Sequence, residues 1–185
     1  MNDQVNSDDI EEHLSEDMPL TQASQKLRLD QHTLASMATD SVLVLPSNGA
    51  LQDTNQDALF FQGESKELLI TLQQAQIAAK FYDDGRPKRS VDFRSADIIL
   101  PPLLFVGQKI LEGGLVALGG WIVNKWLKEP RPKTKPPTLK VQYLLLKDGV
   151  VKWVTITGPA KKVADALRGL NAKHDGSDPP RKRIG

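Results

Sequence analysis

An apolar, glycine-rich segment over residues 98–127 constrains the fold more than any other part of the chain. Its sequence is IILPPLLFVGQKILEGGLVALGGWIVNKWL. Pro101-Pro102 ends whatever element precedes it, and proline suits the start of a helix. The pattern therefore predicts a helix from Leu103 to Lys128. The proline- and lysine-rich stretch that follows predicts an extended linker over residues 129–137.

The glycines of this predicted helix suggest close packing, because each interior glycine costs about 1 kcal/mol relative to alanine. Gly107 and Gly114 are seven residues apart, as are Gly113 and Gly120. A helical wheel places the first pair on an apolar stripe, opposite a polar arc. The stripe predicts a helix-packing or partner interface made of Gly107, Gly114, Leu103, Ile110, Leu118 and Trp121. The neighbour could be the same chain, a second copy or another protein, and Gly114→Leu should disrupt an association.

Two membrane interpretations compete with packing. Trp121 and Trp126 precede a basic flank formed by Lys125, Lys128, Arg131, Lys133 and Lys135, which is typical of a membrane boundary or an anion-binding flank. Lys109 and Glu112 oppose a spanning helix, and the apolar run that follows is shorter than the roughly 20 residues a bilayer needs. The second interpretation is conditional insertion, with a kink at Gly113-Gly114.

Charge is divided between the two halves of the chain. Residues 1–84 hold 15 acidic and 4 basic residues, and residues 85–185 hold 8 acidic and 20 basic ones, although the whole chain has a net charge of +1. The basic half could contact phosphates through Arg86 to Arg94 and Lys125 to Lys140, with Tyr143 and Trp153 as core or stacking side chains. A nucleic-acid-binding accessory protein is therefore a further alternative, although no recognition motif is present.

Catalytic chemistry finds no support in the sequence. The chain has no cysteine, which excludes disulfides, thiol catalysis and cysteine-ligated metals. His13, His32 and His174 lack ligand partners at metal-binding spacing. GGLVALGG lacks the lysine and hydroxyl residue that end a phosphate-binding loop. We expect a protein that is not an enzyme and has no metal or cofactor.

The remaining chain predicts an α+β fold. An acidic disordered arm over residues 1–19, a weakly structured region over 20–63 and a helical region over 64–128 precede the linker. Within them we expect helices over Thr21–Ala38 and 65–82, a helix start at Thr54 and short strands at 91–93 and 97–100; a strand through residues 67–72 is the alternative to the second helix. Residues 138–172 predict a β-β-α unit, in which Lys147-Asp148-Gly149 turns a hairpin and Gly158-Pro159 opens an amphipathic helix. A basic disordered tail over 173–185 ends the sequence.

The order of these elements in residues 97–170, which are 74 of 185 residues or about 40 per cent of the chain, resembles the effector-associated constant component proteins of bacterial conflict systems. The resemblance is carried by LLFVGQKILEGGLVALGGWIVNKWLK and by LKVQYLLLKDGVVKWVTITGPAKKVADAL. It implies a small non-enzymatic protein that couples effectors to signalling partners in antiviral defence. The long acidic N-terminal region departs from the compact family form.

Together these patterns predict a non-catalytic adaptor or accessory protein that docks a protein partner or forms a homo-oligomer through its glycine-rich helix. Contact with an anionic membrane through residues 98–127, and contact with nucleic acid, are the alternatives. The acidic start MNDQVNSDDIEEHLSED lacks the basic and apolar regions of a secretory signal. We therefore expect a cytoplasmic protein, or one held peripherally or integrally at the inner membrane.

Overall fold

A mixed seven-stranded β-sheet organises the chain, which is seen here in a computed structural model that describes residues 12–51, 57–93, 98–128 and 137–174. The strands in these residues are β1 (Glu12–Pro19), β2 (Val42–Val44), β3 (Leu59–Gln62), β4 (Ala79–Phe81), β5 (Lys88–Val91), β6 (Ile98–Ile99), β7 (Leu103–Val106), β8 (Thr138–Lys147) and β9 (Val150–Pro159). The helices are α1 (Leu20–Leu27), α2 (Gln31–Met37), α3 (Ser65–Gln74), α4 (Gln108–Ile122) and α5 (Ala160–His174). Helices and a multi-stranded sheet together confirm the α+β prediction.

The main sheet has the strand order β1-β9-β8-β7-β2-β4, and β6 also pairs with β8. β7 and β8 are parallel neighbours, so α4 is the crossover helix that connects them. β2 and β4 are likewise parallel, with α3 between them in the chain. β3 and β5 form a separate parallel pair.

The β8–β9 hairpin is the part of the fold that local sequence determines most directly. Lys147 pairs with Val150, which leaves Asp148-Gly149 as a two-residue loop. Both loop residues have positive φ, 52° and 76°, as a type I′ turn requires. α5 follows at once, so the predicted hairpin and amphipathic helix are confirmed. β1 and β7 flank the hairpin and supply the additional strands that a lone hairpin needs.

Pro101-Pro102 divides one extended segment into β6 and β7, which both lie along the same edge of β8. Ile98 pairs with Leu139 at an offset of 41, whereas Leu103 pairs with Tyr143 at an offset of 40. The register therefore shifts by one residue at the prolines. Proline cannot donate to a sheet ladder, which explains why the break falls at these two residues.

The inner strands carry apolar side chains on both faces of the sheet, so other elements pack against both faces. Val42 and Val44 face a core that also contains side chains of α3, α4 and α5. Leu43 and Leu45 face a second core formed with α1, α2 and β3. α4 contacts α3, α5 and β7, which explains why it is apolar around most of its circumference.

The predicted helix over Leu103–Lys128 is wrong at its start. Residues Leu103–Val106 form β7, a buried strand in the interior of the sheet. Gly107 then has φ 93° and turns the chain into α4, a conformation that glycine adopts without strain. α4 ends in a π-helical turn over Val123–Leu127.

The N-terminal predictions also need correction. Residues 1–11 lie outside the described range, but Glu12–Pro19 of the predicted disordered arm form β1, antiparallel to β9. The single helix expected over Thr21–Ala38 is two helices, because Arg28 takes a left-handed conformation with φ 55° that ends α1. Asp30 then caps α2 by accepting a hydrogen bond from the Thr33 amide at 2.7 Å.

Three further predictions in the first half are corrected. Thr54 lies outside the described residues, and the apolar residues expected to form a helix after it form β3 instead. The helix expected over 65–82 ends at Gln74, where β4 follows, and Glu64 rather than Ser65 is its N-cap. Its helical rather than extended conformation is as predicted. The short strand expected at 91–93 overlaps β5 only at Val91, where β5 ends, and the one expected at 97–100 is confirmed for the two residues of β6.

Candidate interaction surface

The predicted interface residues lie mostly inside the chain's own core. Leu103, Leu118 and Trp121 are buried, and Ile110 is half-buried against the same core. Gly107 belongs to the turn before α4, so it does not share a helical stripe with Gly114. The structure thus places this set at the packing of α4 on the sheet and its neighbouring helices.

Two of the α4 glycines are explained by this internal packing. A Cβ atom on Gly114 would lie 2.2 Å from Cε1 of Phe105 in β7, so only glycine fits there. A Cβ atom on Gly119 would lie 3.4 Å from the Ala164 carbonyl oxygen of α5. α4 therefore approaches the sheet at Gly114 and α5 at Gly119.

The other two α4 glycines have no such explanation within the described structure. A Cβ on Gly120 would meet nothing within 4 Å, and one on Gly113 would be in ordinary contact with Ile77 Cδ1 at 3.6 Å. Gly113, Val116 and Gly120 follow at helical spacing on the outer side of α4. The fold would tolerate alanine at both glycines and gain about 1 kcal/mol at each. We call Gly113, Val116 and Gly120 the outer stripe.

Exposed apolar side chains accompany the outer stripe. Val116 is 46% exposed, and Ile70 of α3 is 43% exposed. Glu67 near the start of α3 contacts Trp121 near the end of α4, whereas Ile77 just beyond α3 lies by Gly113 near the start of α4. α3 and α4 are therefore antiparallel, and Ile70, one turn after Glu67, lies on the exposed side of α3. Val116 is the exposed apolar side chain of the outer stripe itself.

An ionic and aromatic cluster closes one end of the α3–α4 seam. Trp121 Nε1 donates to Glu67 Oε1 at 2.9 Å, and the Lys125 ammonium pairs with Glu67 Oε2. The same ammonium lies 5.3 Å from the ring centroid of Trp121 and 5.6 Å from that of Trp126. The two indole rings meet edge to face at 5.1 Å. The π-helical turn presents Lys125 and Trp126 to this cluster, which fastens the end of α4 to α3.

The Glu67 carboxylate makes a small, pH-dependent contribution to stability. Hydrogen bonds from Lys125 and Trp121 lower the pKa of Glu67 from its usual 4.5. A depressed folded-state pKa stabilises the protein above the unfolded pKa, and this contribution is lost as the pH falls through the lowered value. We expect Glu67→Gln to reduce the free energy of unfolding by less than about 1 kcal/mol at pH 7, because half of the side chain is exposed. Urea titrations should show the difference shrinking as the pH falls below the usual pKa of glutamate, and a difference that stays constant under this acidification would contradict the assignment.

Only two residues of the predicted basic flank lie within the described part of the chain. Lys125 belongs to the cluster just described, and Lys128 is exposed. Arg131, Lys133 and Lys135 lie outside the described residues. Of the predicted aromatic positions, Tyr143 is buried edge to face against Phe105, and Trp153 is half-buried beside Lys26. Within the described ranges, no helix is both long and apolar enough to cross a membrane.

The structure does not bring the histidines of the described residues into a candidate metal site. His32 is exposed on α2, His13 lies in β1 and His174 is the last residue of α5. The part of the chain that the structure describes contains no group of three or more His, Cys, Asp or Glu side chains placed to hold a metal ion.

Tyr82, Asp84 and Arg86 form a polar network that the sequence did not reveal. The buried Tyr82 hydroxyl accepts the Asp30 N–H at 3.1 Å and lies 3.3 Å from Asp84 Oδ2. Arg86 binds Asp84 through Nε and a terminal nitrogen at 2.9 and 2.6 Å. Burial and the neighbouring Asp84 charge raise the pKa of Tyr82 to about 12. Burial alone would raise the pKa of Asp84, but the Arg86 contacts outweigh it and lower that pKa.

This network joins the loop between α1 and α2 to the end of β4. Its residues fall in YDDGR, which reads as a simple turn in the sequence. The Tyr82 hydroxyl, the Asp84 carboxylate and the Arg86 guanidinium are all held by one another or by backbone, which suits a structural role.

Comparison of the chain with protein-family models, with curated proteins and with solved structures finds no match.

Proposed function

We propose that the protein is a non-catalytic adaptor that self-associates through the outer stripe of α4. The observation that carries the proposal is the division of the α4 glycines. Gly114 is required by internal packing and Gly119 lies close against α5, whereas Gly113 and Gly120 leave space on an exposed apolar face. Glycine on an exposed helix surface costs stability, so an external contact gives it a reason.

A second copy is the occupant that the spacing favours. Gly113 and Gly120 are placed symmetrically about the Val116–Ala117 pair. Two α4 helices crossing antiparallel at that pair would set each Gly113 opposite the other copy's Gly120, as a two-fold interface requires. Small residues at those points let the helix backbones approach closely, and Val116 adds apolar area.

Charge is compatible with this arrangement. The antiparallel crossing sets Lys109 of one copy near Asn124 of the other, so no like charges are opposed. Glu112, near the stripe, is half-buried and accepts a hydrogen bond from Gln108 at 3.2 Å. The self-association proposal extends to the adaptor role that the family resemblance implies, in which a dimer presents two copies of a docking surface to effectors or signalling partners.

Val116→Glu tests the proposal, because it places a charge on the outer stripe without touching the core. We expect the wild type to be dimeric at micromolar concentrations in sedimentation equilibrium. Val116→Glu should be a folded monomer whose Tm no longer depends on protein concentration. Val150→Glu is the matched control, since Val150 is 48% exposed at the hairpin tip and lies outside the outer stripe.

The control variant should remain dimeric. A monomeric wild type, or equal effects of the two glutamate variants, would overturn the proposal of a second copy. Gly120→Leu provides an independent check: its side chain enters open space in the monomer but would occupy the crossing point in the dimer, so it should abolish association while the monomer stays folded.

A further inference from the structure

A cavity of about 240 Å³ lies on the face of the sheet opposite α4. β8 and β9 form its floor with Lys140, Gln142 and Trp153, and α1 and β3 contribute Lys26 and Gln62 to its walls. The turn over residues 46–50 completes the enclosure. No residue of the proposed self-association surface contributes to it, so the two features are independent.

The cavity exists because one face of β8 changes character along its length. Leu144 is buried under the second core, whereas Lys140 and Gln142, which lie on the same face, are only half-buried. The apolar cover of the sheet thus stops at the point where β8 becomes polar, beside the register shift at Pro101-Pro102.

The walls of the cavity are fixed before any ligand arrives. Gln62 Nε2 donates to Ser47 Oγ at 3.1 Å, and both side chains are buried. A Cβ on Gly49 would lie 2.4 Å from the Lys26 carbonyl oxygen, so the turn is packed directly on the end of α1. A rigid wall lowers the entropy cost of binding.

The charge of the lining favours an anion. Lys26 and Lys140 both line the cavity, and no acidic side chain of the described chain is among its lining residues. Lys26 pairs with Glu16 at 2.9 Å on the solvent side, while Lys140 has no ion pair with any described residue. At least one ammonium is therefore available to a ligand.

The Trp153 ring adds a flat apolar surface beside these ammonium groups. Lys26 Nζ lies 5.7 Å from the Trp153 ring centroid, so cation and ring already adjoin. Aromatic ligands stack on such rings in offset or edge-to-face geometry. The volume is below the roughly 300 Å³ at which pockets for drug-sized ligands begin, which limits the ligand to one ring.

We infer that this cavity binds a small planar anion, a single-ring aromatic carboxylate, with its carboxylate at Lys140 and its ring against Trp153. The Gln142 and Gln62 amides line the same space and offer hydrogen bonds to ring substituents.

Titration of the full chain with benzoate, followed by amide NMR shifts, tests the inference. We expect saturable low-millimolar binding that moves the Gln142 and Trp153 resonances. Benzamide, the neutral analogue of the same shape, should bind at least tenfold more weakly, and inorganic phosphate, which lacks the ring, should also bind more weakly.

Lys140→Met keeps the apolar stem and removes the charge, so it should weaken benzoate binding about tenfold. Lys147→Met is the matched control, because Lys147 lies on the same strand but is exposed at the hairpin end. It should leave the affinity unchanged. Absence of saturable benzoate binding, equal binding of benzamide, or equal effects of the two methionine variants would overturn the inference.

Discussion

Gly114→Leu should prevent the protein from folding stably rather than only disrupt an association. A Cβ at this position would lie 2.2 Å from Phe105 Cε1 and 3.0 Å from Cδ1, so every larger side chain overlaps the ring. Phe105 is fully buried in β7 and meets Tyr143 edge to face at 5.9 Å, so it has no room to move away. Overpacking a tight core by a single methyl costs about 1–3 kcal/mol, and leucine adds three further carbons.

Graded substitutions make this expectation quantitative. Gly114→Ala should lower the free energy of unfolding by about 1–3 kcal/mol, measured by urea denaturation, even though alanine is the better helix former by about 1 kcal/mol. Gly169→Ala in α5 is the control, because Gly169 is exposed and lies outside the outer stripe. It should raise stability by about 1 kcal/mol, since its Cβ would meet nothing within 4 Å.

A double variant identifies the clashing partner. Phe105→Leu is destabilising alone, but it should reduce the additional cost of Gly114→Ala, which is the coupling expected of residues in contact. Additive effects of the two changes, or equal effects of alanine at positions 114 and 169, would contradict the packing described for α4.

Asn48→Ala should cause the second large loss of stability. The buried Asn48 side chain binds the backbone groups of the segment at β3 that a neighbouring strand would otherwise bind. Asn48 Nδ2 donates to the Ala58 carbonyl at 2.9 Å, and Asn48 Oδ1 accepts the Phe60 amide at 2.9 Å. The Ser47 amide also donates to the Phe60 carbonyl at 2.7 Å, so this turn continues the ladder beside β3. Losing both side-chain bonds leaves two backbone groups without these partners, at about 1–3 kcal/mol each.

Asn48→Asp keeps one of these two hydrogen bonds and removes the other. Aspartate still accepts from Phe60, but its second oxygen faces the Ala58 carbonyl and repels it unless that oxygen is protonated. The folded state should therefore raise the pKa of this carboxyl, so the penalty should be smaller at pH 4 than at pH 7. Asn124→Ala, on the exposed side of the π-helical turn, is the control and should change stability by less than about 0.5 kcal/mol. Equal unfolding midpoints for Asn48→Ala and Asn124→Ala would contradict the role of Asn48.

Local sequence determined the C-terminal unit well and β7 poorly, for a physical reason. The β8–β9 hairpin has alternating side chains and a turn that needs positive φ, so its signals lie within a few residues of one another. Leu103–Val106 is buried on both faces, and a strand in that position has no alternation to distinguish it from a helix. Gly107 was the one residue whose type could have indicated a turn between β7 and α4, but the sequence pattern included it in the predicted helix.

The outer stripe proposed for self-association was only half predictable, for a related reason. The sequence shows two glycine pairs seven residues apart, but it cannot show which pair the sheet covers. The structure assigns Gly114 to Phe105 and leaves Gly113 and Gly120 outside. The cavity near Lys140 depends on α1, β3 and the turn over residues 46–50, whose positions come from contacts distant in sequence, so no local pattern indicates it.

β1 has a consequence for the order of events during synthesis. Its residues leave the ribosome before the rest of the described chain, yet Glu12 pairs with Thr157 and Pro19 with Val150, in the last strand of the described residues. The acidic segment must therefore wait, unpaired, until β9 has been translated. Pairing over such a separation closes a long loop and slows folding. We expect a nascent chain that ends before β9 to leave β1 accessible to proteases, and completion of the hairpin to protect it.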